Sequence, residues 1–385
     1  AFQRAIERSQ EFSGRAEAQK RLAFLNLDSS RTDAAVITSL QEQIRLQPDD
    51  LPALLRLAGV YERTGAPDKA RQLYEDARKA NPNNSPILIQ LVRLYSTSLK
   101  NPQQALALAK EARKLAPDDA EVAYLLGRLA DQSGDHRWAS DLLQESAARQ
   151  PSNPEVLFHL AQALYAIGRV NDAEDAMRRA VAELGTRNPE LGTLKSEAQS
   201  FLSWVALSKA PEKQLEAEVQ VQQVLKNRPD FLPAQLISGW IHQKRGRTSE
   251  ARQVFEKILT DYPQFAPVRK PLAEIYLDSG DPQKALEYAM KAREAFPDDA
   301  DVAKTLGRIA DRRGENANAV RFFRESSLKR TEDPEVFYLL GKALSQQKAK
   351  ADAKAESKTA LERALALSPS ASFAPDAKRI LADLK

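Results

Sequence analysis

Residues 51–82 read LPALLRLAGVYERTGAPDKARQLYEDARKANP, two amphipathic segments separated by a glycine. In the first, Leu54, Leu57, Ala58 and Tyr61 fall at the three-and-four spacing of one helical face. Gly65 ends that helix, because glycine enters the left-handed region without a Cβ penalty. In the second, Ala70, Tyr74 and Ala77 share a face, and Pro82 stops the run because proline cannot continue a helix. The spacing therefore predicts a helical hairpin.

Working outward, the pattern recurs. Prolines stand at Pro48, Pro82, Pro117 and Pro151, then at Pro229, Pro263 and Pro297, with steps of 34 or 35 residues inside each group. Alanines keep the same period at Ala70, Ala105, Ala139 and Ala173, then at Ala217, Ala251, Ala285 and Ala319. One 44-residue step, from Ala173 to Ala217, departs from it. Ten of the 14 glycines take two places in the period. Gly127, Gly239, Gly307 and Gly341 sit inside first helices, where they permit close packing; Gly65, Gly134, Gly168, Gly246, Gly280 and Gly314 make the turn. One such hairpin cannot bury both of its apolar faces, so neighbours must stack. A bulky side chain at Ala251 or Ala285 would overpack a join, at ~1–3 kcal/mol.

LLGRLADQSGD at 125–135, TLGRIADRRGE at 305–315 and above all LAEIYLDSGDPQKALEYAMKAREAFP at 272–297 carry these markers together. The unit resembles the tetratricopeptide repeat, a 34-residue helix–turn–helix. The resemblance covers about 15–370 in roughly ten units and is weaker at 15–48, 190–229 and 334–369. It implies an all-α fold: a right-handed α-solenoid of about ten helix–turn–helix repeats closed by a C-terminal capping helix. SFAPDAKRILADLK at 372–385 has the spacing for that cap, with Phe373, Ala377, Ile380, Leu381 and Leu384 facing inward.

A longer echo pairs SPILIQLVRLY at 85–95 with APVRKPLAEIY at 266–276, and KLAPDDAEVAYLLGRLAD at 114–131 with EAFPDDADVAKTLGRIAD at 294–311. NPEVLFHLAQAL at 153–164 likewise answers DPEVFYLLGKAL at 333–344, always at an offset of 180 or 181 residues. A five-unit block copied once explains this. The expected organisation is an N-terminal array over 1–187, a C-terminal array over 188–370 and the cap over 371–385. Surplus residues at 183–197, ELGTRNPELGTLKSE, read either as a hinge between the halves or as an insertion that leaves the stacking unbroken. SQQKAKADAKAESKTA at 345–360 reads as a solvent-facing helix or loop.

Composition limits function. The 385 residues hold 57 Lys and Arg against 53 Asp and Glu, a net charge of +4, and the signs alternate along nearly every segment. That is not the basic stripe of a nucleic-acid binder, so none is expected as partner. The chain has no cysteine, which excludes disulfides, thiolate metal sites and cysteine nucleophiles. No apolar run approaches the ~20 residues of a membrane span. The chain opens at Ala1 without an initiating Met, so a processed or truncated start is expected, and both a cytoplasmic and a periplasmic, envelope-associated setting fit.

No catalytic or cofactor motif is present, and no enzyme, metal or cofactor is expected. His159 and His242 fall on first helices as packed core residues, whereas His136 in GDHRW is expected in an exposed turn. The pairs Asp118–Asp119 and Asp298–Asp299 follow prolines at helix starts and read as caps.

The resemblance places function on the wall of first helices, whose second, fifth, ninth, twelfth and thirteenth steps line a concave groove in the family. Applied here it names Arg93, Tyr124, Arg128, Phe158, Gln162, Tyr165, Trp240, Lys270, Lys304, Arg308, Tyr338 and Lys342. Aromatics mixed with Arg and Lys are the types enriched at protein-binding hot spots. Trp204 falls on a core-facing step, and Trp240 on a groove-facing one. The chaperone-tail clamp of some family members is matched only by Lys304 and Arg308; Trp240 and Glu274 stand where asparagines are needed. The expected function is a scaffold that holds a protein or peptide partner, with a chaperone-like or regulatory adaptor of an enzyme complex as the alternative. In general likeness the chain also resembles bacterial repeat proteins of envelope polysaccharide export and exosortase-linked systems.

Overall fold

A computed structural model describes residues 32, 34–184, 192–347 and 351–384. Among them are 21 α-helices, one short 3-10 turn and no strand. The chain divides into two compact units, Ala1–Leu160 and Ala161–Lys385. This division falls within a helix. Residues 185–191, where the hinge and the unbroken insertion would differ, lie outside the described residues.

In the first unit α1 (Ala34–Leu46) packs on α2 (Leu51–Arg63), which pairs with α3 (Pro67–Ala80). The pairs α4 (Ser85–Thr97) with α5 (Pro102–Leu115) and α6 (Ala120–Gln132) with α7 (His136–Arg149) follow, and α8 (Pro154–Ala166) crosses the division. Helix α2 starts where the Asp50 carboxylate accepts from the Ala53 amide, and it buries Ala53, Leu54, Leu57, Ala58 and Val60. Gly65 makes the turn at φ 73°, and α3 returns with Ala70, Tyr74 and Ala77 buried. Second helices also touch the next first helix, α3 on α4 and α5 on α6, so the hairpin α4–α5 is covered from both sides.

The second unit contains α9 (Val170–Leu184), α10 (Gly192–Ser208), the short α11 (Pro211–Gln214), α12 (Glu218–Asn227), α13 (Leu232–Lys244) and α14 (Thr248–Asp261). A 3-10 turn at Ala266–Val268 leads into α15 (Arg269–Asp278), followed by α16 (Pro282–Ala295), α17 (Ala300–Arg312), α18 (Asn316–Lys329), α19 (Pro334–Ser345), α20 (Ala351–Leu367) and α21 (Ala374–Asp383). Pro271 has no N–H to offer the carbonyl four residues back. The first turn here is accordingly a 3-10 turn, with the Arg269 amide on the Ala266 carbonyl. Helix α15 is therefore only 10 residues long, against 13 for α13 and α17.

The acidic caps are as expected: Asp119 accepts from the Glu121 and Val122 amides, and Asp299 from those of Asp301 and Val302. Their neighbours Asp118 and Asp298 pair with Arg149 and Lys329 at 2.7 and 2.9 Å. The closing helix is present too. Ala377 and Ile380 of α21 are buried against Leu361 of α20, with Phe373, Leu381 and Leu384 packed around them.

Two expectations are corrected. The segment 345–360 is not solvent-facing: from Ala351 it is the second helix of the last pair, with Ala353, Ser357, Ala360, Leu361 and Ala364 buried. Those small residues recur every three or four positions, and the charged residues between them hide a packing face. His136 is not an exposed turn residue either. It opens α7, its Nδ1 lies 2.7 Å from Asp131 Oδ1, and its side chain is 13% exposed. His159 sits within ring contact of Tyr124 and Phe158.

Second helices are joined by ion pairs that reach from one repeat to the next. Arg78 of α3 meets Glu111 of α5 at 2.8 Å, and Arg113 of α5 meets Glu145 of α7 at 2.6 Å. In the second unit Arg293 of α16 meets Glu325 of α18 at 2.6 Å, and Arg324 of α18 meets Glu356 of α20 at 2.8 Å. Each is partly solvated and worth at most about 1 kcal/mol. These four pairs link successive second helices at two joins in each unit.

Candidate binding pocket

A cavity of ≈ 490 Å³ opens in the second unit between α13, α15 and the loop that joins α16 to α17. Trp240 and Gln243 of α13 form one side, and Lys270, Pro271 and Glu274 of α15 form another. Pro267, Phe296 and Val302 supply further apolar wall, with Ser208, Pro211 and Gln214 at the α10–α11 end. The proline-distorted start of α15 places both Pro267 and Pro271 on this wall. From behind, Pro267 meets the α8–α9 turn: a Cβ on Gly168, which has φ +82°, would lie 3.0 Å from the Pro267 ring.

The cations around the cavity are engaged. Lys270 Nζ donates to Asp301 Oδ2 at 3.2 Å, and Arg330 also pairs with Asp301. Arg308 meets Asp278 at 2.9 Å, and Lys244 Nζ donates to the Pro211 carbonyl. Glu274 differs. Burial pushes its carboxyl above the ordinary value, and the nearby Lys270 and Arg308 only partly offset that. Among the described residues no cation lies within ion-pairing distance of it. Its hydrogen-bond partner is the Thr305 hydroxyl at 3.3 Å, and that hydroxyl has the Asp301 carbonyl closer, at 2.9 Å.

Of the twelve residues expected on the binding wall, the structure brings Trp240 and Lys270 together in this cavity. The others are dispersed. Tyr124, Phe158 and Tyr165 are 6, 4 and 2% exposed, so their rings are used inside the chain. Tyr165 packs on Phe201 and Phe265 with centroids 5.2 and 5.6 Å away. Burial pushes the Tyr124 phenol up to about 12. Arg93 pairs with Glu121 at 2.7 Å, while Arg128 lies over the Tyr124 ring. Lys304 bridges Asp333 and Glu335 at 2.9 and 2.7 Å. Tyr338 donates to Asp376 of α21, stacks on Phe373 and carries Lys342 over its ring. Gln162 is half-buried on α8.

Glu274, Pro267, Pro271 and Phe296 were not on the expected list. The signal available for them was proline at two places in one helix start, which marks a distorted turn. No step rule singles out Phe296, which caps α16.

A family model described as tetratricopeptide repeat matches residues 26–93, 64–129, 132–198 and 242–309, more than half of the chain. The chain belongs to the tetratricopeptide repeat family. A TPR repeat-containing protein of Pseudomonas aeruginosa is 27% identical over 197 residues, which are 50% of this chain and 31% of that protein. The chain thus spans about a third of the length of that curated relative. Among solved structures, the APC/C hetero-tetramer Cut9–Hcn1 is similar at 15% identity and a TM-score of 0.42, over 90% of this chain and 92% of that one. A tetratricopeptide repeat protein from Parabacteroides merdae is similar at 15% identity and a TM-score of 0.31, over 76% and 98%. No described helix is long and apolar enough to cross a membrane.

Proposed function

We propose that this protein is a non-catalytic scaffold that holds a protein or peptide partner against its first helices, with the cavity beside Trp240 as an anchoring point. The observation that carries this reading is the half-buried indole of Trp240, set with Phe296 and two prolines around an open cavity in a family of interaction modules. Pockets that bury an aromatic or long side chain are where binding energy concentrates. The bacterial relative supports a bacterial setting, with an envelope export assembly as one candidate home. Fractionation of cells that express the full-length gene product separates an envelope location from the cytoplasm.

The test is crosslinking capture from native cells, read by mass spectrometry, with wild type beside Trp240→Ala. Loss of a hot-spot aromatic costs about 2 kcal/mol or more, so recovery of the partner should fall roughly thirty-fold. Helicity and melting temperature should stay near those of wild type, because Trp240 is only half-buried. Undiminished capture by Trp240→Ala would remove the anchoring role.

A further inference from the structure

The two copies of the duplicated block differ where the cavity lies. In the first copy the ninth step of α4 is Arg93, which pairs with Glu121 of α6 at 2.7 Å. In the second copy the matching residue, 181 positions on, is Glu274, and Glu121 is answered by Asp301. Asp301 is taken one turn earlier, by Lys270 at 3.2 Å. The charge at the ninth step has been reversed and the repeat-to-repeat ion pair moved to the fifth. The apolar wall is also new: Pro271 and Phe296 stand where the first copy has Gln90 and Ala116.

The result is an acidic group at a cavity whose neighbouring cations are all held elsewhere. Lys270 is on Asp301, Arg308 on Asp278 and Lys244 on the Pro211 carbonyl. A carboxyl removed from water without a cation is unfavourable unless a ligand supplies one. Trp240 and the prolines offer flat apolar faces, suited to an aliphatic stem and, at the indole, to a cation.

We propose that this cavity receives one lysine or arginine side chain of the bound partner, its stem against Trp240, Pro267 and Pro271 and its cation at Glu274. The assignment rests on the partner-binding reading above and narrows it to a basic residue. An apolar side chain would leave Glu274 buried without a counter-charge. An acidic one would meet Glu274 with every nearby cation already occupied.

The probes are the blocked amino acids Nα-acetyl-lysine, -arginine, -norleucine and -glutamate methylamide, titrated into the full chain to about 50 mM, where millimolar affinities are read directly. The readout is the indole N–H signals of the three tryptophans, with that of Trp240 assigned by Trp240→Phe. The lysine and arginine probes should shift the Trp240 signal saturably and at least about tenfold more tightly than norleucine, the 1.4 kcal/mol of one charge-assisted contact. Glu274→Gln, nearly isosteric and uncharged, should abolish that preference without unfolding the chain. Equal response to lysine and norleucine, a preference that survives Glu274→Gln, or no shift at all would overturn the assignment. Partner capture keeps the two readings apart. Capture that survives Trp240→Ala removes the anchoring role of the cavity, whereas capture lost in Trp240→Ala but kept in Glu274→Gln removes only the basic side chain.

Discussion

At Gly239 the missing side chain lets the Phe255 ring of α14 lie directly against the backbone of α13. An added Cβ would stand 2.3 Å from Cε1 of Phe255, a ring with no exposed surface that cannot move aside. Gly239→Ala should therefore cost ~1–3 kcal/mol through overpacking, although alanine is the better helix former. The measurement is denaturant unfolding of Gly239→Ala, Phe255→Leu and the double variant. A smaller side chain at 255 should relieve part of the clash, giving a coupling of about 0.5–3 kcal/mol between the sites. Additive losses would show that the backbones relax apart instead. Gly307 against Phe323 repeats the arrangement two hairpins on, with a Cβ 2.5 Å from the ring. A small first-helix residue and a bulky second-helix residue thus specify each other.

At the scale of elements, helices of successive repeats are tied by caps that also serve as ion pairs. Asp333 accepts from the Glu335 and Val336 amides at the start of α19 and from Lys304 Nζ of α17 at 2.9 Å. Burial raises its carboxyl, but Lys304 and the two amides outweigh that and hold it below the ordinary value. A carboxyl depressed in the fold stabilises above its unfolded value and loses that contribution as pH falls through its folded value. Asn is as good a cap as Asp but has no charge. Asp333→Asn should therefore be less stable than wild type at pH 7, and the gap should begin to narrow as pH falls below about 4, the carboxyl's unfolded value, and keep shrinking towards the lower folded value. Asp333→Ala loses the cap as well and should cost about 1 kcal/mol more at every pH. Thermal melts of the three proteins from pH 3 to 8 check this, and a gap that did not narrow on acidification would refute the ion-pair contribution.

Over the whole molecule, stability is a sum of hairpins and their joins, so damage should stay near its source. The last pair relies on α21, where Ala377 and Ile380 cover Leu361 and lie beside Tyr338. Ile380→Asp places a charge in that contact. Hydrogen exchange should then rise in α19 and α20, while amides of α2 through α7 keep wild-type protection. Uniform loss of protection along the chain would show that unfolding is all-or-none instead.

The helices, their period, the turn glycines and the closing helix were legible because they depend on local terms. Residues three and four apart share a face, and a left-handed turn needs glycine, wherever in the chain they occur. Even the packing face of α20, read as solvent-facing, had its small-residue spacing in plain view, masked by charges on its other face. The cavity was not legible. A step rule says which way a side chain leaves its helix, but not what stands opposite. Tyr165 and Trp240 obey the same rule, yet one is sealed by Phe201 and Phe265 and the other edges an opening. Lys270 and Glu274 sit one turn apart on α15, yet only Lys270 finds a counter-charge, Asp301, some thirty residues away. Burial and charge pairing are properties of neighbours brought together by stacking, so only the folded chain decides them.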